Sequence, residues 1–234
     1  MHTAANMPSI DTVKCVRLAS VHYVHPDLAA ATKFALDFGF EIVEESDGRV
    51  YFGGFGVEPY IYVAEQSYNN QRKFVGATWT VESINDLKTA EAYPNATPIA
   101  DRKGPGGGKF VTVTDPNGFS VSFVYGQKEK SAKVDDGITL SKSNQALPNK
   151  AVSKTRYGTF QRFQPGPSPI HKVGHYGYIV PASKYEKTFE WYTTMLNLKP
   201  TDAVYSRETG KDTTCFMHID RQQEYSDHHV SITI

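Results

Sequence analysis

The chain has 234 residues, with 25 basic and 25 acidic side chains and a formal net charge of zero. That length can bury a sizeable core, as one large domain or two small ones. The charge balance excludes a global field that favours nucleic acid or an anionic membrane, which leaves a small molecule or a protein as partner.

Residues 1–13 read as an N-terminal tail without the basic segment and apolar core of a signal peptide, and no run approaches the roughly 18 apolar residues of a membrane span. Cys15 and Cys215 lie 200 residues apart with no CxxC spacing, which fits buried thiols in a reduced, cytoplasmic protein better than a disulfide scaffold.

Residues 14–65 predict a βαβββ unit. "KCVRLASVHYV" is β-branched and alternating; "HPDLAAATKFALDFG" has a Pro-Asp start, an Ala/Leu/Phe face and a glycine stop; "EIVEE", "RVYFGGF" and "PYIYVAE" follow as strands. Residues 72–126 repeat the order with "KFVGATWTV", a serine-capped helix in "SINDLKTAEAY", then "ATPIAD", "GKFVTVTD" and "FSVSFVYG". Residues 127–170 read as a linker ending in "QPGPSP", in which "RYGTFQRF" is aromatic enough to lie against a domain. Residues 171–234 carry the pattern a third time: "HKVGHYGYIVP", a helix in "ASKYEKTFEWYTTMLNL", then "TDAVYS", "TTCFMHID" and "HHVSITI".

The predicted class is therefore α+β, with three βαβββ modules of which the first two pair as a half-open barrel around a pocket. The third module has no partner within 171–234, so its sheet edge and apolar face need covering, and a homodimer through that face is one way to cover them.

His175 on the first strand of the third module and the His228-His229 pair on its last are the residues to which chemistry is assigned. Imidazoles on separate strands of one sheet can converge on a pocket, bind a transition metal or move protons near neutral pH. Strict alternation puts His228 on the face of Val230 and Ile232, and His229 on the face of Ser231 and Thr233. Asp227 can orient one of them or cap the strand. "GPGGG" at 104–108 lacks the GK[ST] of a phosphate loop and reads as a hairpin; "DPNG" at 115–118 reads as a turn. Tyr23, Tyr51, Tyr60 and Tyr62 read as sheet packing, and Cys215 as core.

The module order, with "GGGKFVTVTDPNGFSVSFVYG", "GHYGYIV" and "FMHIDRQQEYSDHHVSI", resembles the vicinal oxygen chelate superfamily, and within it the two-domain extradiol ring-cleavage dioxygenases of the catechol type. The resemblance implies a metal-free N-terminal pair of modules and a C-terminal pair that holds Fe(II), sometimes Mn(II), by two histidines and a glutamate. Open positions on that metal accept a catechol and O2. His175 matches the first ligand, and His228 or His229 an acid/base histidine, with His228 favoured by its place in the motif. The second histidine and the glutamate belong to a fourth module and have no counterpart here. Aligning the repeats puts Ser20, Gly76 and Ser122 at the three ligand positions of the N-terminal pair; His22, two residues from Ser20, reads as core or rim.

The function implied by the resemblance is that of an extradiol dioxygenase-like protein with a small aromatic substrate, carrying one metal ligand of three. The other readings are a non-catalytic binding module that holds a small apolar or aromatic ligand in the N-terminal cleft, and an inactive fragment or shortened product of a longer dioxygenase.

Overall fold

The computed structural model describes residues 11–131, 166–222 and 228–234. The first repeat forms β1 (Cys15–His25), α1 (Leu28–Phe38), β2 (Glu41–Ser46), β3 (Arg49–Gly53) and β4 (Tyr62–Gln66). Asp27 starts α1 by accepting a hydrogen bond from the Ala30 amide at 2.8 Å, and Gly39 ends it in the left-handed conformation with φ of 119°. The second repeat forms β5 (Lys73–Val81), α2 (Ile84–Glu91), β6 (Ala100–Asp101), β7 (Lys109–Thr114) and β8 (Ser120–Tyr125). Its helix starts at Ser83, where the buried Asp86 carboxylate accepts from the Ser83 amide (3.0 Å) and hydroxyl (2.6 Å) and from the Lys14 amide (2.9 Å). One side chain thus caps α2 and pins it to the start of β1.

The third repeat forms β9 (Tyr176–Ile179), a short 3-10 turn, α3 (Tyr185–Met195), β10 (Leu198–Tyr205), β11 (Asp212–Ile219) and β12 (His228–Thr233). Two expected strands differ in extent. "ATPIAD" pairs over only two residues, and β10 begins before "TDAVYS" and carries Pro200, which an outer strand tolerates because it has no inner ladder to complete. "RYGTFQRF" and Asp227 lie outside the described residues.

The first two repeats build one eight-stranded sheet in the order β2-β3-β4-β1-β5-β8-β7-β6. Its centre is an antiparallel seam of β1 with β5, flanked by the parallel pairs β1–β4 and β5–β8, so the two halves mirror each other about the seam. Gly76 is required there: a β-carbon on it would lie 1.9 Å from the Ser120 carbonyl oxygen on the neighbouring β8. The sheet curls without closing, which is the expected half-open barrel.

The third repeat forms a four-stranded sheet in the order β10-β11-β12-β9, with β12 parallel to β9 as β4 is to β1. Its inner face and α3 join the N-terminal sheet in one apolar core that includes Trp79, Phe123, Tyr192, Met217 and Ile232, all at most 1% exposed. Burial of large side chains at this density is the main stabilising contribution. Asn197 adds a specific tie, accepting from the Cys15 amide (2.7 Å) and donating to its carbonyl (3.1 Å). Both thiols are buried and free, and burial raises the pKa of each, with Cys215 pushed up to about 11.

Candidate functional site

The outer face of the four-stranded sheet carries His175 and His228. His175, next to the start of β9, is exposed and its Nε2 lies 3.0 Å from the Ser231 hydroxyl on β12. Gly177 makes that approach possible, because a β-carbon there would lie 2.2 Å from Ser231 Oγ. Phe216 on β11 lies near two histidines, with its ring centroid 6.3 Å from His175 and 5.8 Å from His228. Burial lowers the pKa of His175; a hydrogen bond with the His228 backbone opposes the shift and the His228 charge adds to it. At neutral pH His175 therefore presents a neutral imidazole with a lone pair.

The closing histidine pair corrects the alternation expected from sequence. His228 is exposed on the side of Phe216, whereas His229 is 7% exposed and turns inward, 6.0 Å from the Trp79 ring, accepting from the Ile219 amide at 3.5 Å. Val230 is buried beside it, so two successive side chains point to the core. The cause is a β-bulge: from Met217↔Val230 to His218↔His228, β12 advances two residues while β11 advances one. The extra residue moves His228 off the face of Val230 and onto that of His175.

Among the described residues, no group of three His, Cys, Asp or Glu side chains could hold a metal ion. A facial triad needs three such ligands, so the described residues do not fit a resident iron and supply one imidazole, His175, beside His228.

A concavity lies on the N-terminal half-barrel. It encloses about 390 Å³ and is lined by residues that include Ser20, Gly76 and Ser122, the positions aligned above with metal ligands. Hydroxyls and hydrogen stand where ligands would be needed. His22 lines the same cleft, with Nε2 2.9 Å from Glu65 Oε2, an oxygen that Arg49 also reaches at 2.6 Å. Burial would raise the Glu65 pKa, but the Arg49 hydrogen bond and charge outweigh it and hold the carboxylate below its usual range. Burial lowers the His22 pKa; Glu65 pulls it up, and Arg49 and Arg102 push it down.

Arg102 and Lys103 were not singled out from the sequence, and Tyr51 was read there only as sheet packing, yet all three line this cleft. The Arg102 guanidinium carbon lies 5.5 Å from the Tyr60 ring centroid and 5.6 Å from that of Phe110. The "GPGGG" run sets the turn that holds it: Gly104 adopts φ of 102° with Tyr51 3.2 Å from where its β-carbon would lie, and Gly108 accepts from the Arg102 amide at 2.8 Å. Two cations directly ahead of a glycine run were the available signal.

This arrangement of βαβββ repeats is shared with solved extradiol ring-cleaving dioxygenases. The chain is similar in structure to homoprotocatechuate 2,3-dioxygenase from Brevibacterium fuscum in an anaerobic complex with 3,4-dihydroxyphenylacetate, with a TM-score of 0.67, 17% identity, and coverage of 97% of this chain and 62% of that one. A variant of homoprotocatechuate 2,3-dioxygenase from B. fuscum gives a TM-score of 0.70 at 16% identity, covering 97% of this chain and 55% of that one. A room-temperature structure of an extradiol ring-cleaving dioxygenase from B. fuscum gives 0.67 at 16%, with the same coverages. The chain thus spans 55–62% of the length of these dioxygenase chains, and at such identities the likeness shows the fold. No protein-family model and no curated protein sequence matches the chain. No helix among the described residues is long and apolar enough to cross a membrane.

Proposed function

We propose that this chain provides part of a cytoplasmic extradiol ring-cleavage dioxygenase of the catechol type: the metal-free N-terminal pair of modules, 14–126, and, after a linker, a unit at 171–234 that contributes to the catechol site. The observation that carries this reading is the grouping of His175 and His228 around Phe216, on the open face of a sheet whose edge strand β9 corresponds to the strands β1 and β5 that join the N-terminal repeats. In this reading His175 offers one nitrogen to Fe(II) or Mn(II), which when bound would hold a catechol and O2. In the same reading His228 takes a proton from a small aromatic diol; the burial of His229 supports this choice between the two.

The remaining ligands must come from outside the described residues, either from a further module joined at β9 or from a second copy of the chain across that edge. Anaerobic titration of the purified chain with Mn(II), followed by electron paramagnetic resonance, tests the assignment. Weak binding that drops at least tenfold in His175→Ala is expected, and equal binding by the two proteins would refute it. Light scattering separates the two routes to a complete site: a dimer favours the second copy.

The second reading, a module that binds a small molecule, is favoured by the cleft of about 390 Å³ in the N-terminal half-barrel, a size within the usual range for ligand sites.

A further inference from the structure

We infer that the N-terminal cleft is a binding site for a small aromatic carboxylate, separate from the His175 face. Three cationic side chains line it, Arg49, Arg102 and Lys103, against one carboxylate, Asp101. Asp101 is already paired with Lys109 at 2.7 Å, and Arg49 with Glu65. Arg102 has no carboxylate partner among the described residues and is held between two aromatic rings, which keeps its planar fork in place without neutralising it.

The rest of the lining selects an apolar body. Tyr51 and Phe110 offer ring surface, and Val63, Val75 and Ala77 offer aliphatic surface. The hydroxyls of Ser20 and Thr78 sit on buried residues at the floor. A guanidinium with free donors above an apolar wall suits a carboxylate on a ring better than a bare inorganic anion, which would leave the wall uncovered.

Isothermal titration of the full chain with phenylacetate, its neutral amide phenylacetamide, and inorganic phosphate tests the inference. Phenylacetate is expected to bind at least tenfold more tightly than either competitor, and Arg102→Gln to lose at least tenfold of that affinity while Arg102→Lys loses less. His175→Ala should bind phenylacetate as the wild type does, which separates this site from the proposed catechol face. Equal binding of phenylacetamide would make the cleft merely apolar, and equal binding of phosphate would make it a general anion site; either overturns the inference. Should Arg102→Gln fail to fold, the comparison of the three ligands on the wild type still decides. Loss of phenylacetate binding in His175→Ala would also overturn it, whatever becomes of the metal titration.

Discussion

The Tyr178 hydroxyl donates to Asp115 Oδ2 at 2.7 Å, joining the third repeat to the turn that precedes β8. Asp115 is 4% exposed, and its other oxygen accepts from the Asn117 and Phe119 amides at 2.8 and 2.9 Å. One carboxylate therefore shapes the "DPNG" turn and anchors a strand from another part of the chain. Tyr192 approaches the same oxygen at 3.5 Å, and burial drives the pKa of both phenols upward, so they remain donors.

Removing the Tyr178 hydroxyl should weaken the join between the repeats. Tyr178→Phe is expected to cost about 1.5–3 kcal/mol, the range for a hydrogen bond to a charged group, whereas Tyr192→Phe should cost less because of its longer contact. Urea unfolding with an unchanged denaturant slope reads the difference. A larger loss for Tyr192→Phe would reverse this ranking of the two contacts.

Two glycines should respond differently to alanine. At Gly76 the obstacle is the Ser120 backbone, so β5 and β8 would have to separate at the centre of the large sheet. At Gly177 the obstacle is the Ser231 hydroxyl, which can rotate away. Gly76→Ala should cost about 3 kcal/mol or more, and Gly177→Ala about 1 kcal/mol with loss of the His175–Ser231 contact. Melting curves of the two variants give the order, which would be wrong if Gly177→Ala were the worse.

The closing histidines should separate stability from exposure. His229→Ala removes a buried ring that packs against Trp79 and is expected to cost about 1–3 kcal/mol, while His228→Ala should stay within about 0.5 kcal/mol of wild type. Thermal unfolding of both variants checks this. Equal losses would contradict the bulged register of β12.

Stability should fall on mild acidification. Burial, aided by the Arg72 charge, lowers the pKa of His25, whose Nε2 lies 2.6 Å from the Tyr62 hydroxyl. The unfolded chain therefore takes up the proton first, near the ordinary histidine value of about 6.5, and stability drops as pH falls from there towards the lower folded value. Below the folded value this contribution levels off. His175 is lowered as well and acts in the same direction, so His25→Gln should remove part of the slope and leave the rest. Urea midpoints at several pH values on either side of 6.5 measure it; a wild type more stable on the acid side would show the sign to be wrong.

The repeat pattern was legible in the sequence because local chemistry announces it. Asp27 and Gly39 mark the ends of α1, Ser83 marks the start of α2, and period-two alternation marks the strands of the half-open barrel. The sequence put His175 on the first strand of the third repeat, and it lies one residue before β9. What alternation could not provide was the side taken by His228 and His229, because one extra residue in β12 inverts the parity, and a bulge depends on how two strands pair.

The sequence by itself determined the βαβββ rhythm, the caps, the reduced cysteines and the absence of ligand side chains at Ser20, Gly76 and Ser122. These follow from residue types and short spacings. Only the tertiary structure decided that Asp115 binds Tyr178 across 63 positions of chain, that His228 shares a face with His175, and that Arg102 hangs over the cleft with no carboxylate partner among the described residues. Each of those depends on which distant side chains meet, and that is set by packing across the sheets.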